Sequence, residues 1–272
     1  MEIETIFTIG IVFTFGRIFG SFFNVLIIRL PKNRSIVWPG SSCPHCDHKI
    51  TFFENIPLLS YIFLGGRCSQ CKSKISIQYP IIEFITGYAS ILLWFFIIKP
   101  FLTYSHPWWE YIPISVQTLS LLILIPVSVI DIYHYIIPDS ISLGGLIMGI
   151  LTTFIPGGIT PLQCLLGILA GGGTLYLIGL IGEWVLKKEA MGFGDVKLMA
   201  FLGSIWGWQF SFLSIMYGSL FGSVLGIIFI RILPKDHRIP FGPFLGIGAW
   251  ITVLFGDKMI KIYLNSINKF FI

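Results

Sequence analysis

Apolar runs at roughly 5–28, 81–98, 111–130, 140–156, 162–182, 198–230 and 239–256 constrain this chain more than any other feature. A bilayer's hydrocarbon core accepts a helix of about 20 apolar residues, and most of these runs approach that length. The run from Leu198 to Ile230 carries no charge and, at about 1.5 Å per residue, is too long for one comfortable crossing. Its Gly207-Trp208-Gln209 centre reads as a turn between two shorter spans, which brings the expected crossings to eight. Only 11% of the 272 residues are charged, against roughly 25% in soluble domains. The expected fold is therefore an all-α polytopic membrane protein of about eight transmembrane helices with one small loop domain.

Basic residues set the expected orientation. Arg29, Lys32, Arg34, Lys49, Arg67, Lys72 and Lys74 crowd the segment between the first two runs, whereas the N-terminus carries Glu2 and Glu4. That segment is expected in the cytoplasm and the N-terminus outside. With no small-x-small cleavage site after it, the first run reads as a retained span rather than a signal peptide. Continuing the count puts Asp131–Asp139, the 183–197 segment with Lys187, Lys188 and Lys197, and Arg231, Lys235 and Arg238 on the cytoplasmic side. Lys258, Lys261 and Lys269 run against it, though terminal charges are weak topological signals. The net charge of +5 is spread through short loops, which points to membrane lipid as the partner and not to nucleic acid. Gly218, Gly222 and Gly226 share one helix face, a spacing that lets helices approach closely in lipid. The Gly171–Thr174 stretch lies inside an apolar run and also reads as packing.

Residues 30–80 form the longest hydrophilic stretch, between a first span at 1–29 and a membrane domain at 81–272. It contains Cys43-Pro-His-Cys46 and Cys68-Ser-Gln-Cys71. Two Cys-x-x-Cys turns at this separation have the spacing of a zinc ribbon, because each turn aims two thiolates at one point. The competing reading, two disulfides, conflicts with a reducing cytoplasm. Cys43, Cys46, Cys68 and Cys71 are thus expected to hold a structural zinc, four thiolates leaving no open coordination position. His45 and His48 flank the first turn but are not needed as ligands. So small a domain scarcely builds its own core, and metal binding would supply its fold. Cys164 sits in an apolar run and reads as a small buried residue.

Ionisable side chains within or beside spans are functional candidates by default. Glu83, Asp131, Asp139, Glu183, Asp195 and Asp257 qualify by position. Glu183 and Asp257 read as helix ends at the interface. Glu83 opens the second run, where a helix N-terminus welcomes negative charge. Asp139 follows Pro138 and reads as an N-cap. Asp131 and Asp195 lack so simple an explanation. Asp131 ends an uncharged stretch of about 20 residues from Tyr111 to Ile130. Asp195 follows Gly192 and Gly194, which permit backbone conformations that other residues resist. The charge count places both acids on one membrane face. Two carboxylates at one wet cavity cannot both ionise cheaply and can share a proton, one serving as base toward water and the other as acid toward a carbonyl. On the residues alone, interfacial anchors, an ion-coupled transport site and an aspartyl hydrolase all remain open.

Several motifs occur in order along the chain: "GSFFNVLIIRLP" (20–31), "CPHC", "ENIPLLSY" (54–61), "GRCSQC" (66–71), "ISIQYPIIE" (75–83), "DIYHYIIPD" (131–139), "MGFGDVKL" (191–198) and "PFGPFLGIGA" (240–249). Together they resemble the bacterial type IV prepilin leader peptidases, membrane aspartic proteases of the Gly-x-Gly-Asp type. The resemblance implies that Asp131 and Asp195 are the catalytic pair, with the glycine-flanked Asp195 the half that moves or unwinds. It also implies that prepilins and pseudopilins are cut at the cytoplasmic face of the inner membrane, after a glycine that precedes an apolar helix. Members with the cysteine loop methylate the new N-terminal amine from S-adenosylmethionine, and this chain keeps both Cys-x-x-Cys pairs. The alternatives are an ion-coupled transporter or channel with a structural zinc loop, and a non-catalytic scaffold of a secretion system.

Overall fold

The computed structural model describes residues 2–187, 191–232 and 239–270. Lys188, Lys235 and Arg238, used above for orientation, lie outside the described residues. The described residues are helical apart from loops and two isolated antiparallel bridges, Ser42 with Lys49 and Arg67 with Lys74. The chain divides into two compact units, Met1–Thr103 and Tyr104–Ile272.

In the first unit, α1 (Glu2–Arg29) packs antiparallel to α3 (Gln78–Leu93), and the loop between them carries the short α2 (Leu59–Phe63). A π-type turn at Trp94–Ile98 then leads into α4 (Lys99–Leu102). Glycines set the α1–α3 approach: a Cβ on Gly20 would stand 2.7 Å from the Glu83 Cα, and one on Gly16 would stand 2.8 Å from the Gly87 Cα. Small residues at such crossings gain close backbone packing where lipid supplies no hydrophobic drive. Glu83 does not open α3, as the sequence suggested. The helix starts five residues earlier, and Glu83 lies buried on its inner face with Oε2 accepting the Leu58 N–H at 2.7 Å.

The second unit contains α5 (Tyr111–Leu122), α6 (Leu124–His134), α7 (Asp139–Thr152), α8 (Pro161–Ile168), α9 (Thr174–Leu186), α10 (Phe193–Trp206), α11 (Trp208–Ile232) and α12 (Gly242–Phe270). The apolar run at 111–130 breaks at Ile123 for a local reason: Pro126 has no N–H to give the Leu122 carbonyl. Thr160 and Gln163 form a reciprocal capping box that starts α8. Gly207, at φ 82°, makes the expected turn between α10 and α11.

Helix α10 is the centre of this unit, with every residue from Leu198 to Ile205 buried. Its neighbours approach through glycine. A Cβ on Gly167 of α8 would collide with the Gly203 carbonyl, and one on Gly171 with the Met199 carbonyl. Gly171 lies in a π-type turn at Leu169–Gly173, so the expected packing role of that stretch holds. On α11, Gly218 and Gly222 face Phe244 of α12, and buried Cys164 behaves as a small apolar residue.

Among the described residues, Glu4–Lys32, Gln78–Leu102, Trp108–His134 and Pro161–Val185 are long and apolar enough to cross a membrane. Asp139–Thr152 and Gly242–Gly256 are shorter apolar helices. Two further expectations need correction. Asp139 is the first residue of α7 rather than its cap, Pro138 holding the cap position, and no side-chain cap bond forms. The backbone of α12 continues through Asp257 to Phe270, so Asp257 does not mark a helix end.

Candidate functional site

Helix α6 stops where Tyr135 turns left-handed at φ 56°, its N–H donating to the Asp131 carbonyl at 2.8 Å. Asp131 thus belongs to the last turn of α6, and Asp195 to the first turn of α10, which starts beyond extended Gly192. Both side chains are buried, at 6% and 8% exposure. Ile137 links their surroundings, bordering both Gly194, next to Asp195, and Gly242, whose N–H holds Asp131. Asp131 Oδ2 accepts the Gly242 N–H at 2.9 Å, from the first residue of α12. Asp195 Oδ1 is buried and has no partner among the described residues. The ends of α6, α10 and α12 therefore converge, bearing one anchored carboxylate and one whose Oδ1 has no partner among the described residues.

The glycines here serve close approach. A Cβ on Gly242 would stand 2.7 Å from Asp131 Oδ2, and one on Gly194 would stand 3.1 Å from the Ile137 Cβ. Gly65, Gly66, Gly157 and Gly207 are the glycines at positive φ among the described residues. Gly192 and Gly194 are not, which corrects the expectation of unusual backbone beside Asp195. Ile137 is the common neighbour, its side chain also bordering the space beside Gly242. The sequence reading missed Ile137 and the donor role of Gly242, although "PFGP" had marked the segment. It also missed that Asp139 takes Lys197 as an ion-pair partner, at 2.7 Å.

In the first unit the two Cys-x-x-Cys turns repeat one geometry. The Cys43 N–H donates to the His48 carbonyl and the Cys68 N–H to the Ser73 carbonyl, both at 2.9 Å. The residue after each second cysteine, Asp47 or Lys72, takes a left-handed φ of 54° or 59°. All four Sγ atoms lie within 4.8 Å of one another. Cys43 and Cys71 are 3.8 Å apart, Cys46 and Cys68 3.9 Å. A tetrahedral ion with metal–sulfur bonds of about 2.3 Å needs an edge of about 3.8 Å, so the four side chains fit such an ion.

Their acidities point the same way. The His45 N–H, working against burial, holds the Cys43 thiol down at about 6. For Cys46 the His48 N–H also lowers it, but burial and the sulfurs of Cys71, Cys43 and Cys68 push it up to about 12. Four sulfurs this close resist full ionisation until a cation joins them. Ser73 Oγ lies 3.1 Å from Cys71 Sγ and supports the cluster from outside. His48 is not in it and pairs instead with Glu54 at 3.1 Å.

Residues 14–97 match the bacterial peptidase A24 N-terminal domain and residues 118–227 the type IV leader peptidase family. A protein of Pseudomonas aeruginosa named prepilin leader peptidase/N-methyltransferase is 34% identical over 276 residues, covering 92% of this chain and 91% of its own. The chain belongs to the type IV leader peptidase family. A relative of the same name from Aeromonas salmonicida is 33% identical over 289 residues, 95% of this chain and 94% of its own. Another from Myxococcus xanthus is 36% identical over 218 residues, 80% of this chain and 62% of its own. No solved structure matches the chain. The first family match contains all four clustered cysteines, and the second contains both buried aspartates.

Proposed function

We propose that this family member is a prepilin leader peptidase that also N-methylates its product, and that Asp131 and Asp195 are its catalytic pair. The observation that carries the assignment is the convergence of the helix ends that bear two buried carboxylates, one of them with an oxygen that has no partner among the described residues. In this reading one carboxylate takes a proton from water as the water oxygen attacks the peptide carbonyl after the leader glycine. The other gives a proton to the carbonyl oxygen, and collapse of the tetrahedral species breaks the C–N bond and releases the amine. The Gly242 N–H fixes the orientation of Asp131 throughout. The substrates are prepilins and pseudopilins. Membership of this family leaves the transporter reading without support.

In this reading α7, α10, α11 and α12 also cross the inner membrane and, with the four long apolar segments, would bring the crossings to eight. That path returns the ends of α6, α10 and α12 to one face, which the loop charges assign to the cytoplasm with the N-terminus opposite. Cys43, Cys46, Cys68 and Cys71 would hold zinc, which when bound supplies a structural cross-link for the loop. S-adenosylmethionine, as a co-substrate, would supply the methyl group for the new N-terminal amine, with the methyl–sulfonium bond broken and S-adenosylhomocysteine and a proton released.

The test is leader release from a purified prepilin in detergent by the wild type, Asp131→Asn and Asp195→Asn. Product mass is followed with and without S-adenosylmethionine. Cleavage by the wild type alone, with one methylene of added mass only when the methyl donor is present, is the expected result. Cleavage near the wild-type rate in either variant rules out the pair.

A further inference from the structure

Lys197 Nζ donates to Asp139 Oδ1 at 2.7 Å and joins positions 58 residues apart. Lys197 follows Asp195 by two residues on α10, roughly 200° round the helix, so it projects away from that carboxylate. Its ammonium lies 5.1 Å from the centroid of the Phe193 ring, which itself meets Tyr176 of α9 edge-on. The lysine is thus held in the first turns of α10 from two sides. Asp139 opens α7 after Pro138, and its carboxylate goes to the lysine.

Between Asp131 and Asp139 the chain leaves α6, turns at Tyr135 and sets Ile137 beside Gly194 and Gly242. Any retreat of this linker from α10 withdraws Ile137 from between the start of α10, which carries Asp195, and the start of α12, whose Gly242 N–H holds Asp131. The Asp139 side chain is 60% exposed, and exposed ion pairs contribute little to stability. What this pair fixes is a distance: it ties the linker leaving the helix of Asp131 to the turn bearing Asp195.

We propose that Asp139 and Lys197 are positioning residues of the peptidase, clamping α10 against the 135–139 linker so that both carboxylates address one peptide bond. The inference rests on the peptidase reading above. Neither side chain is assigned a contact with substrate.

The test measures leader-release kinetics on the purified full chain. Asp139→Asn and Lys197→Gln should each lower kcat about 10–100-fold with KM changed less than about threefold, the effect of misplacing groups by around an ångström. Their thermal midpoints should stay at the wild-type value. Lys197→Arg should keep most of the rate, and Asp139→Lys combined with Lys197→Asp should recover most of what either single change loses. Hydrogen exchange gives a second readout independent of catalysis. Lys197→Gln should speed exchange in both 135–139 and 192–196, and the charge swap should slow it again. Single variants with wild-type kcat, a swap no better than the singles, or unchanged exchange would each overturn the clamp. If the wild type releases no leader, the peptidase reading fails, while the exchange result still decides whether the pair holds these segments.

Discussion

The cysteine cluster and the carboxylate site are built on opposite plans. The cluster closes over sequence separations of 28 and 22 residues, through two turns that repeat one hydrogen-bond pattern. The carboxylate site draws on contacts 58 and 111 residues apart, at the ends of α6, α7, α10 and α12. The first needs its own loop and, in our reading, an ion. The second needs every helix of its unit seated correctly. Damage to the loop should therefore remain local, while damage to the helix packing should reach the chemistry.

Four experiments press on that contrast. The largest effect is expected from Asp131→Asn or Asp195→Asn. General acid–base groups contribute about 10²–10⁴-fold, so leader release should fall by that order with circular dichroism unchanged. Methylation of a peptide already cut should survive, and its loss would join the two sites. Next, Cys43→Ser or removal of the metal by a strong chelator should raise hydrogen exchange across 41–74 and abolish bound zinc. Leader release should stay within an order of magnitude of wild type, and its collapse would break the comparison.

A smaller effect separates the packing. Gly167→Ala drives a methyl into the Gly203 carbonyl, and overpacking of this kind costs about 1–3 kcal/mol. The thermal midpoint should fall and activity with it. Gly40→Ala in the loop meets nothing within 4 Å and should change neither.

The smallest effect concerns acid. The Ser69 hydroxyl first, then the Thr51 N–H and hydroxyl and His48, hold the Glu54 carboxyl at about 2 against an ordinary value of 4.5. Its contribution to loop stability is present above that ordinary value and fades as pH falls toward 2. Glu54→Gln should flatten the part of the loop's acid unfolding that lies in this window, as followed by exchange or fluorescence. An unchanged profile would remove Glu54 from the account.

Legibility in the sequence follows the same division. The cysteine cluster was readable because its signal is local, four residues at metal spacing. The aspartates were visible as charges lacking a simple purpose, but their meeting was not, since spacing says nothing about which helix ends converge. Asp139 and Glu83 were both read from their chain neighbours, as a cap and a helix opener. In the structure each is defined by a distant partner, Lys197 or the Leu58 N–H. The break at Ile123 follows from Pro126, and that signal was available. The glycines beside Asp195 take no unusual backbone: Gly194 leaves room for Ile137, a residue no local pattern distinguishes, and Gly192 for the Asp195 carboxylate itself.

One detail of the carboxylate site bears on how such a protein balances durability against usefulness. Asp131 has the Gly242 N–H, while Asp195 Oδ1 is buried with no donor among the described residues. A buried acceptor gains from a donor, and substrate or water can bring one to this oxygen without displacing a bond made by the described chain. A second-site change that gave this oxygen an internal donor should make a hardier protein and a poorer receptor, with greater thermal endurance gained at the expense of its appetite for substrate.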